Sequence, residues 1–215
     1  MRVRDNAQNG QKNEDWTPKQ KLIIAIAALL VIVGVGTYSK LPISTGQPFK
    51  IAVGAAVLDP RISHGQDFFD NGFEVKEFKP MDQGDVLKPD DKIGTKQPVV
   101  SCTVSLDGTK MGTAIFSRTS KYGSAARKCK VNSITIYVND ENRDRVYVEG
   151  IEEEALPASE LTMERLTAAL GQCTETSEGQ GSSEVMDYTW KRKHYSLIVS
   201  FERDDTLHAV KAVYE

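Results

Sequence analysis

Histidine, cysteine and paired aspartate residues are the side chains of this chain that could support acid–base, nucleophilic or metal chemistry. The three histidines, His64, His194 and His208, are far apart, and none has a Cys or Ser at a spacing typical of an activated nucleophile. Neither G-x-S-x-G nor H-E-x-x-H occurs, and no glycine-rich phosphate loop is present. We therefore expect no catalytic residue, no metal site and no cofactor. The alternative, a hydrolase with an unrecognised site, requires one of these histidines to lie in a cleft beside a carboxylate or a serine.

The three cysteines, Cys102, Cys129 and Cys173, could form a disulfide. None belongs to a C-x-x-C pair, and no histidine lies at metal-ligand spacing from them. An exported domain would be expected to contain one disulfide and one remaining thiol. We favour Cys102–Cys129, because both lie in the same region and closing a loop of about 28 residues would contribute roughly 3 kcal/mol. Cys173 could instead pair with either residue, and three buried reduced thiols are the other alternative.

Two groups of side chains could bind a partner. The aromatic residues Tyr188, Trp190 and Tyr195 could form a binding face, although packing in the core or across strands is the commoner role of such residues. The charged residues between Ser117 and Lys130 are all basic, and they could dock an acidic partner or a lipid headgroup. A solvated loop or helix face is the commoner outcome of such a run. The basic candidates are Arg118, Lys121, Arg127 and Lys128.

The composition limits the class of protein. The chain has 215 residues, with 27 Lys and Arg against 30 Asp and Glu, which gives a formal net charge of −3. A hydrophobic fraction of 40% and a charged fraction of 27% fit a folded chain rather than a disordered one. The mildly acidic balance provides no general attraction to nucleic acid. Only one long apolar run is present, which excludes a polytopic membrane protein.

That apolar run, residues 22–38 (LIIAIAALLVIVGVGTY), predicts a transmembrane anchor. It has no charged residue, and its length of about 17 residues is at the short end of what spans a hydrocarbon core of roughly 30 Å. A buried core helix would keep a polar face, which this segment lacks. Residues 1–21 contain five basic residues, so the positive-inside rule places the N-terminus in the cytoplasm. We predict a single-pass protein of the inner (cytoplasmic) membrane whose C-terminal domain is periplasmic or otherwise extracytoplasmic. A cleaved signal peptide is the alternative, although Gly34 and Gly36 make a poor cleavage site.

The chain is predicted to have five consecutive parts. They are a cytoplasmic tail (1–21), the anchor (22–38), a tether rich in Pro, Gly and Ser (39–48), a β-rich exported region (49–130) and an α+β module (131–215).

Hydrophobic periodicity predicts the elements of the exported parts. Alternation of apolar and polar residues predicts strands at 73–78, 99–106, 109–116 and 131–138, with 145–151 as the partner strand of the last one. Asp107-Gly108 supplies the residues of a tight hairpin turn.

The final part is predicted to contain one helix and three strands. An apolar face and a glycine stop at Gly171 predict a helix over 161–170. Three alternating segments, 185–190, 195–201 and 207–214, predict a three-stranded antiparallel meander that covers this helix. The predicted fold class is therefore α+β, with an N-terminal transmembrane helix, a β-rich exported region, and a helix plus meander at the end.

Three segments of the chain carry a family resemblance. They are Leu161–Thr176 (LTMERLTAALGQCTET), the strand that contains Tyr188 and Trp190, and Leu197–Val213 (LIVSFERDDTLHAVKAV). In the order helix, Leu-Gly stop, polar loop and three strands, this C-terminal third of the chain resembles the SmpA/OmlA (BamE-like) domain family. The resemblance implies a small α+β scaffold that binds other proteins.

The sequence thus predicts a non-enzymatic, membrane-anchored envelope protein whose exported domain binds another envelope protein, as a scaffold, an assembly factor or an inhibitor. The expected partners are envelope proteins and, through residues 22–38, the lipid bilayer. Apart from the hydrolase, the alternative is a structural subunit of a secretion-type membrane complex.

Overall fold

The computed structural model describes residues 47–79, 84–179 and 184–215, all of which fall in one compact unit. The predicted anchor at 22–38 lies outside these residues. The strands are β1 (Lys50–Val53), β2 (Ala56–Leu58), β3 (Glu74–Glu77), β4 (Lys92–Ile93), β5 (Val99–Leu106), β6 (Thr109–Ser117), β7 (Ser124–Ala125), β8 (Lys130–Tyr137), β9 (Val146–Glu149), β10 (Leu156–Pro157), β11 (Glu175–Glu178), β12 (Val185–Arg192), β13 (Tyr195–Glu202) and β14 (Leu207–Tyr214). The helices are α1 (Gly65–Asp70), α2 (Met163–Leu170) and the short 3-10 helices Ala126–Lys128 and Ala158–Glu160.

The strands form two main sheets and one small ladder. The large sheet has eight antiparallel strands in the order β11-β12-β13-β14-β8-β6-β5-β3. The small sheet has the order β10-β9-β1-β2, and β4 pairs with β7. One hydrophobic cluster contains buried side chains from both main sheets, so the core lies between them.

Apolar and polar residues alternate along the long strands, and this alternation explains why the large sheet has two different faces. In β5, Val100, Cys102 and Val104 are at most 2% exposed and face the core. The residues between them are Ser and Thr, which leaves the opposite face of the sheet polar. The Asp107-Gly108 turn joins β5 to β6 with φ values of 53° and 77°, as the sequence predicts for a tight hairpin.

The predicted α+β fold class is wrong. Strands make up 48% of the described residues and helices only 12%, so the domain is mostly β. The predicted meander β12-β13-β14 is formed, but β14 also pairs with β8, and β8 pairs with β6. The meander is therefore the end of a continuous sheet rather than a separate layer that covers a helix. None of the described helices is both long and apolar enough to cross a membrane.

The predicted pairing of 145–151 with 131–138 is also wrong. The strand in the first range, β9, pairs with β1 and β10. Both edges of β8 are already occupied, by β6 on one side and β14 on the other. Because a strand has only two edges for hydrogen bonding, β9 must pair elsewhere.

The predicted helix at 161–170 is present as α2. The Oγ1 of Thr162 accepts a hydrogen bond from the backbone N of Arg165 at 3.2 Å, which caps the first turn. The helix ends at Gly171, whose φ of 79° is a conformation that glycine adopts readily. Leu166 is fully buried and joins α2 to the core.

Candidate functional site

The polar face of the large sheet is concave and forms a cleft of about 560 Å³. Residues from seven of the eight strands line this one recess. A flat sheet of that width could not bring residues from so many strands around one recess. We call it the concave cleft. Its main lining residues are Ser101, Thr113, Ile115, Ser133, Thr135, Tyr137, Glu175, Ser177, Glu178, Val185, Asp187, Thr189, Ile198, Ser200, His208 and Lys211.

The strand register places these side chains in rows across the cleft. Residues directly opposite each other on antiparallel strands point to the same face of a sheet. One row crosses six strands, and another crosses five. The first row is Thr113, Thr135, Lys211, Ile198, Thr189 and Glu175. The second row is Tyr137, Ala209, Ser200, Asp187 and Ser177.

Two features of the sequence produce the curvature and the open floor. The register shifts at Val104/Ser105, at Ile115/Phe116 and at Ser200/Phe201, and such irregularities increase the local twist of a sheet. Ser and Thr are the commonest side chains of the floor, and they are short and leave space above the strands. The floor therefore offers hydroxyl donors and acceptors at nearly every strand.

Lys211 is the cation at the centre of the concave cleft. It is half-buried on β14, with Thr135 opposite it on β8 and Ile198 opposite it on β13. Within the described parts of the chain, no carboxylate lies close enough to form an ion pair with its ammonium group. A partly desolvated cation without a counterion attracts an anionic group more strongly than an exposed one.

Carboxylates occupy one side of the same cleft. Asp187 accepts a hydrogen bond from the Oγ of Ser200 at 2.6 Å, and Glu175 pairs with the ammonium of Lys191 at 2.5 Å. The hydrogen bond that Lys191 donates to Glu175 raises the pKa of Lys191 above its usual value. The cleft thus presents a central positive charge on β14 and a negative side on β11 and β12, separated by two to three strand spacings, or about 10–15 Å.

Of the three histidines, the structure places His208 in the concave cleft. Its Nδ1 lies 3.3 Å from Oε1 of Glu202, and its ring is 6.1 Å from that of Tyr137. His64 precedes α1, where its backbone N donates to Asp67 at 2.7 Å, and His194 is exposed in the turn before β13. The three residues are not brought together. Across the described segments, no group of three or more His, Cys, Asp and Glu side chains is arranged to hold a metal ion.

The aromatic candidates lie mostly in the interior. Trp190 is 3% exposed, and its indole N donates to the carbonyl of Gly171 at 2.9 Å. Tyr195 is 1% exposed and packs edge-on against Tyr214 at 5.1 Å. Tyr188 is half-buried and contacts the ring of Phe201. These rings do not form a common exposed face in the structure.

The cysteines of the predicted disulfide, Cys102 and Cys129, are free and buried, and Cys173 is free and half-buried. Burial raises the pKa of Cys102 to about 12, with smaller contributions from the charges of Glu77 and of the Cys129 thiol. Burial also raises the pKa of Cys129. Both core thiols are therefore protonated and poorly nucleophilic at neutral pH.

Thiol labelling tests this arrangement. In the reduced full chain at pH 8, we expect one thiol, that of Cys173, to react quickly with a thiol reagent, and all three to react after unfolding in urea. Rapid reaction of a second thiol in the folded protein would contradict the burial of Cys102 and Cys129. Protein isolated without reductant provides the test of the disulfide prediction, because a Cys102–Cys129 bond would leave a single reactive thiol after unfolding.

The basic candidates form part of a separate surface. Arg118 and Lys121 lie in the loop before β7, where Arg118 Nη1 donates to the carbonyl of Gly94 at 3.0 Å. Arg127 and Lys128 lie in the 3-10 helix after β7. The loop that contains Gly94 adds further lysines to this surface. The sequence analysis did not connect them with the basic run between Ser117 and Lys130.

Sequence reasoning also missed the concave cleft. Its signal was present in the strands, whose solvent-facing positions are often Ser or Thr where Lys and Glu would be common. That pattern is unusual for an exposed sheet face, but it does not reveal that the strands share one sheet.

Comparison with known proteins assigns no family. No family model and no curated protein matches the chain. Among solved structures, the chain is similar to a DUF4309 family protein (YjgB) from Bacillus subtilis, with a TM-score of 0.34 and 15% sequence identity over 65% of this chain and 88% of that chain.

Proposed function

We propose that the domain is a non-enzymatic binding module that holds a segment of another envelope protein in the concave cleft. The observation that carries the proposal is Lys211, a half-buried cation in the middle of a hydroxyl-lined floor with no counterion among the described residues. Such a group is costly to keep unpaired, and a bound anionic group would neutralise it.

The charges of the cleft describe the partner. A carboxylate of the partner would lie over Lys211, and a basic side chain would reach the side formed by Asp187 and Glu178. About 10–15 Å separates these positions, which corresponds to roughly three to four residues of an extended chain. Threonine and serine hydroxyls along the rows can donate to backbone carbonyls and accept from backbone N–H groups of such a segment. We therefore infer an extended polypeptide with an acidic residue followed or preceded closely by a basic one.

We also propose, from the charge-free run at 22–38 and the basic residues before it, that the domain is held at the inner membrane and faces an extracytoplasmic space.

Site-specific photo-crosslinking in intact cells tests the proposal. A photoreactive phenylalanine analogue at Tyr137, on the floor of the cleft, is expected to yield a discrete adduct with another protein. The matched control is the same analogue at Tyr147, which lies on β9, is 36% exposed and is outside the cleft. Both replacements exchange one aromatic ring for another, so that folding should be affected little and equally.

Two outcomes would contradict the proposal. One is the absence of any protein adduct from position 137, and the other is the same set of adducts from both positions. If the purified full chain instead turned over a substrate, and His208→Ala or Glu202→Ala abolished that activity, the hydrolase alternative would replace this proposal.

A further inference from the structure

The two loops that precede β5 and follow β6 bring basic residues from distant parts of the sequence onto one surface. The β4–β7 ladder joins them, and Arg118 bonds to the carbonyl of Gly94. A Cβ atom on Gly123 would lie 2.8 Å from the carbonyl oxygen of Ile93, which shows how closely the loops pack. We call the result the basic surface. It consists of Lys92, Lys96, Arg118, Lys121, Arg127 and Lys128.

Most of these charges have no carboxylate partner. Arg127 pairs with Asp90, with 2.7 Å between Nε and Oδ1. For the other five cations, no carboxylate of the described residues lies within 4 Å. Lys92 and Lys96 also line a recess of about 360 Å³, together with Lys79, and Glu77 is the acid on its wall. Like charges held this close repel each other, and a bound anion would remove that repulsion.

The charges of the domain are segregated along the chain. Residues 88–130 contain nine basic and three acidic residues, whereas residues 139–178 contain three basic and eleven acidic residues. The overall net charge of −3 conceals this separation. A strongly positive region attracts anionic ligands, whereas the acidic remainder of the protein repels them.

We propose that the basic surface binds a linear polyanion that carries phosphate groups. Single exposed ion pairs contribute little to affinity, so useful affinity requires a ligand that engages several cations at once. The cationic side chains that line the recess are all lysines, which bind phosphate as point charges. The recess lies between the end of β3 and the segment that joins β4 to β5, and it admits a strand of polymer, whereas a flat bilayer would contact only its rim. This inference does not depend on the proposed role of the concave cleft.

Binding of inorganic polyphosphate by the full chain in a neutral detergent tests the inference. With a fluorescein-labelled polyphosphate, the anisotropy titration is expected to show an affinity that falls with salt, with a log–log slope of about −4 for five contacts. The double variant Lys92→Glu/Lys96→Glu should bind at least about ten-fold more weakly, and the magnitude of its slope should fall by about 1.5. The control Lys110→Glu/Lys193→Glu makes the same change in net charge outside the basic surface and should bind like the unmodified chain.

Several results would overturn the proposal. Equal binding by the Lys92→Glu/Lys96→Glu variant, or binding that is insensitive to salt, would show that the basic surface is not the site. Displacement by inorganic phosphate at equal phosphate concentration would indicate single-ion binding only. Vesicles containing phosphatidylglycerol that compete better per phosphate than unlabelled polyphosphate would assign the surface to a lipid bilayer instead. Thermal melting of every variant would show that the fold is intact.

Discussion

Replacing Phe116 with alanine is expected to lower the free energy of unfolding by roughly 3–5 kcal/mol. Phe116 is fully buried on the core face of β6, and its ring lies 5.6 Å from that of Phe68 in α1. Phe68 in turn packs edge-on against Phe73 at 5.4 Å. Removing the Phe116 ring therefore leaves a cavity where the helix meets the large sheet. Both the free energy gained by transferring the ring out of water and its packing contacts with neighbouring side chains are lost.

Urea unfolding of the full chain measures this effect. The matched control is Tyr122→Ala, which removes an aromatic ring that is 68% exposed and should change stability by less than about 0.5 kcal/mol. A loss below about 1 kcal/mol for Phe116→Ala would mean that the site collapses around the smaller side chain or that Phe116 is not a core residue in solution.

Charge reversal at Lys211 is expected to have the largest effect on partner capture. In the Lys211→Glu variant, the centre of the concave cleft would present a carboxylate to the acidic group of the partner, in addition to the existing carboxylates Asp187 and Glu175 on one side of the cleft. Disrupting a partly buried charge pair costs about 2–5 kcal/mol, so the crosslinked adduct formed from position 137 should decrease at least about ten-fold.

Two variants distinguish an electrostatic effect on partner capture from a general loss of folding. Lys211→Arg keeps the charge and should retain most of the adduct, whereas Lys88→Glu makes the same reversal at an exposed position outside the cleft and should leave the yield unchanged. Unaltered capture by Lys211→Glu, in a protein that melts like the unmodified chain, would remove Lys211 from the binding site.

Much of the local structure was predictable from short-range patterns. The bounds of β5, the Asp107-Gly108 turn, and α2 with its Gly171 stop all agree with the sequence analysis to within a few residues. These features depend on contacts between neighbours in the chain, because side-chain alternation, φ preference and helix capping are properties of a few consecutive residues.

The candidate sites were not predictable in the same way. Trp190 and Tyr195 looked suitable for a binding face, but the register of β12 and β13 directs them into the core. Thr135 and Lys211 are 76 positions apart, and they lie side by side only because β8 pairs with β14. Lys96 and Arg118 belong to one surface only because the loops that carry them pack together.

The sequence alone therefore determined the positions of the long strands and of α2, and it showed that the chain has no recognisable catalytic motif. The tertiary structure decided which strands are neighbours, and with that the mostly β class, the concave cleft and the grouping of the basic residues. The physical reason is that strand pairing is formed by backbone hydrogen bonds, which are nearly the same for every residue type. The choice of neighbour then depends on how all the buried faces can be packed at once.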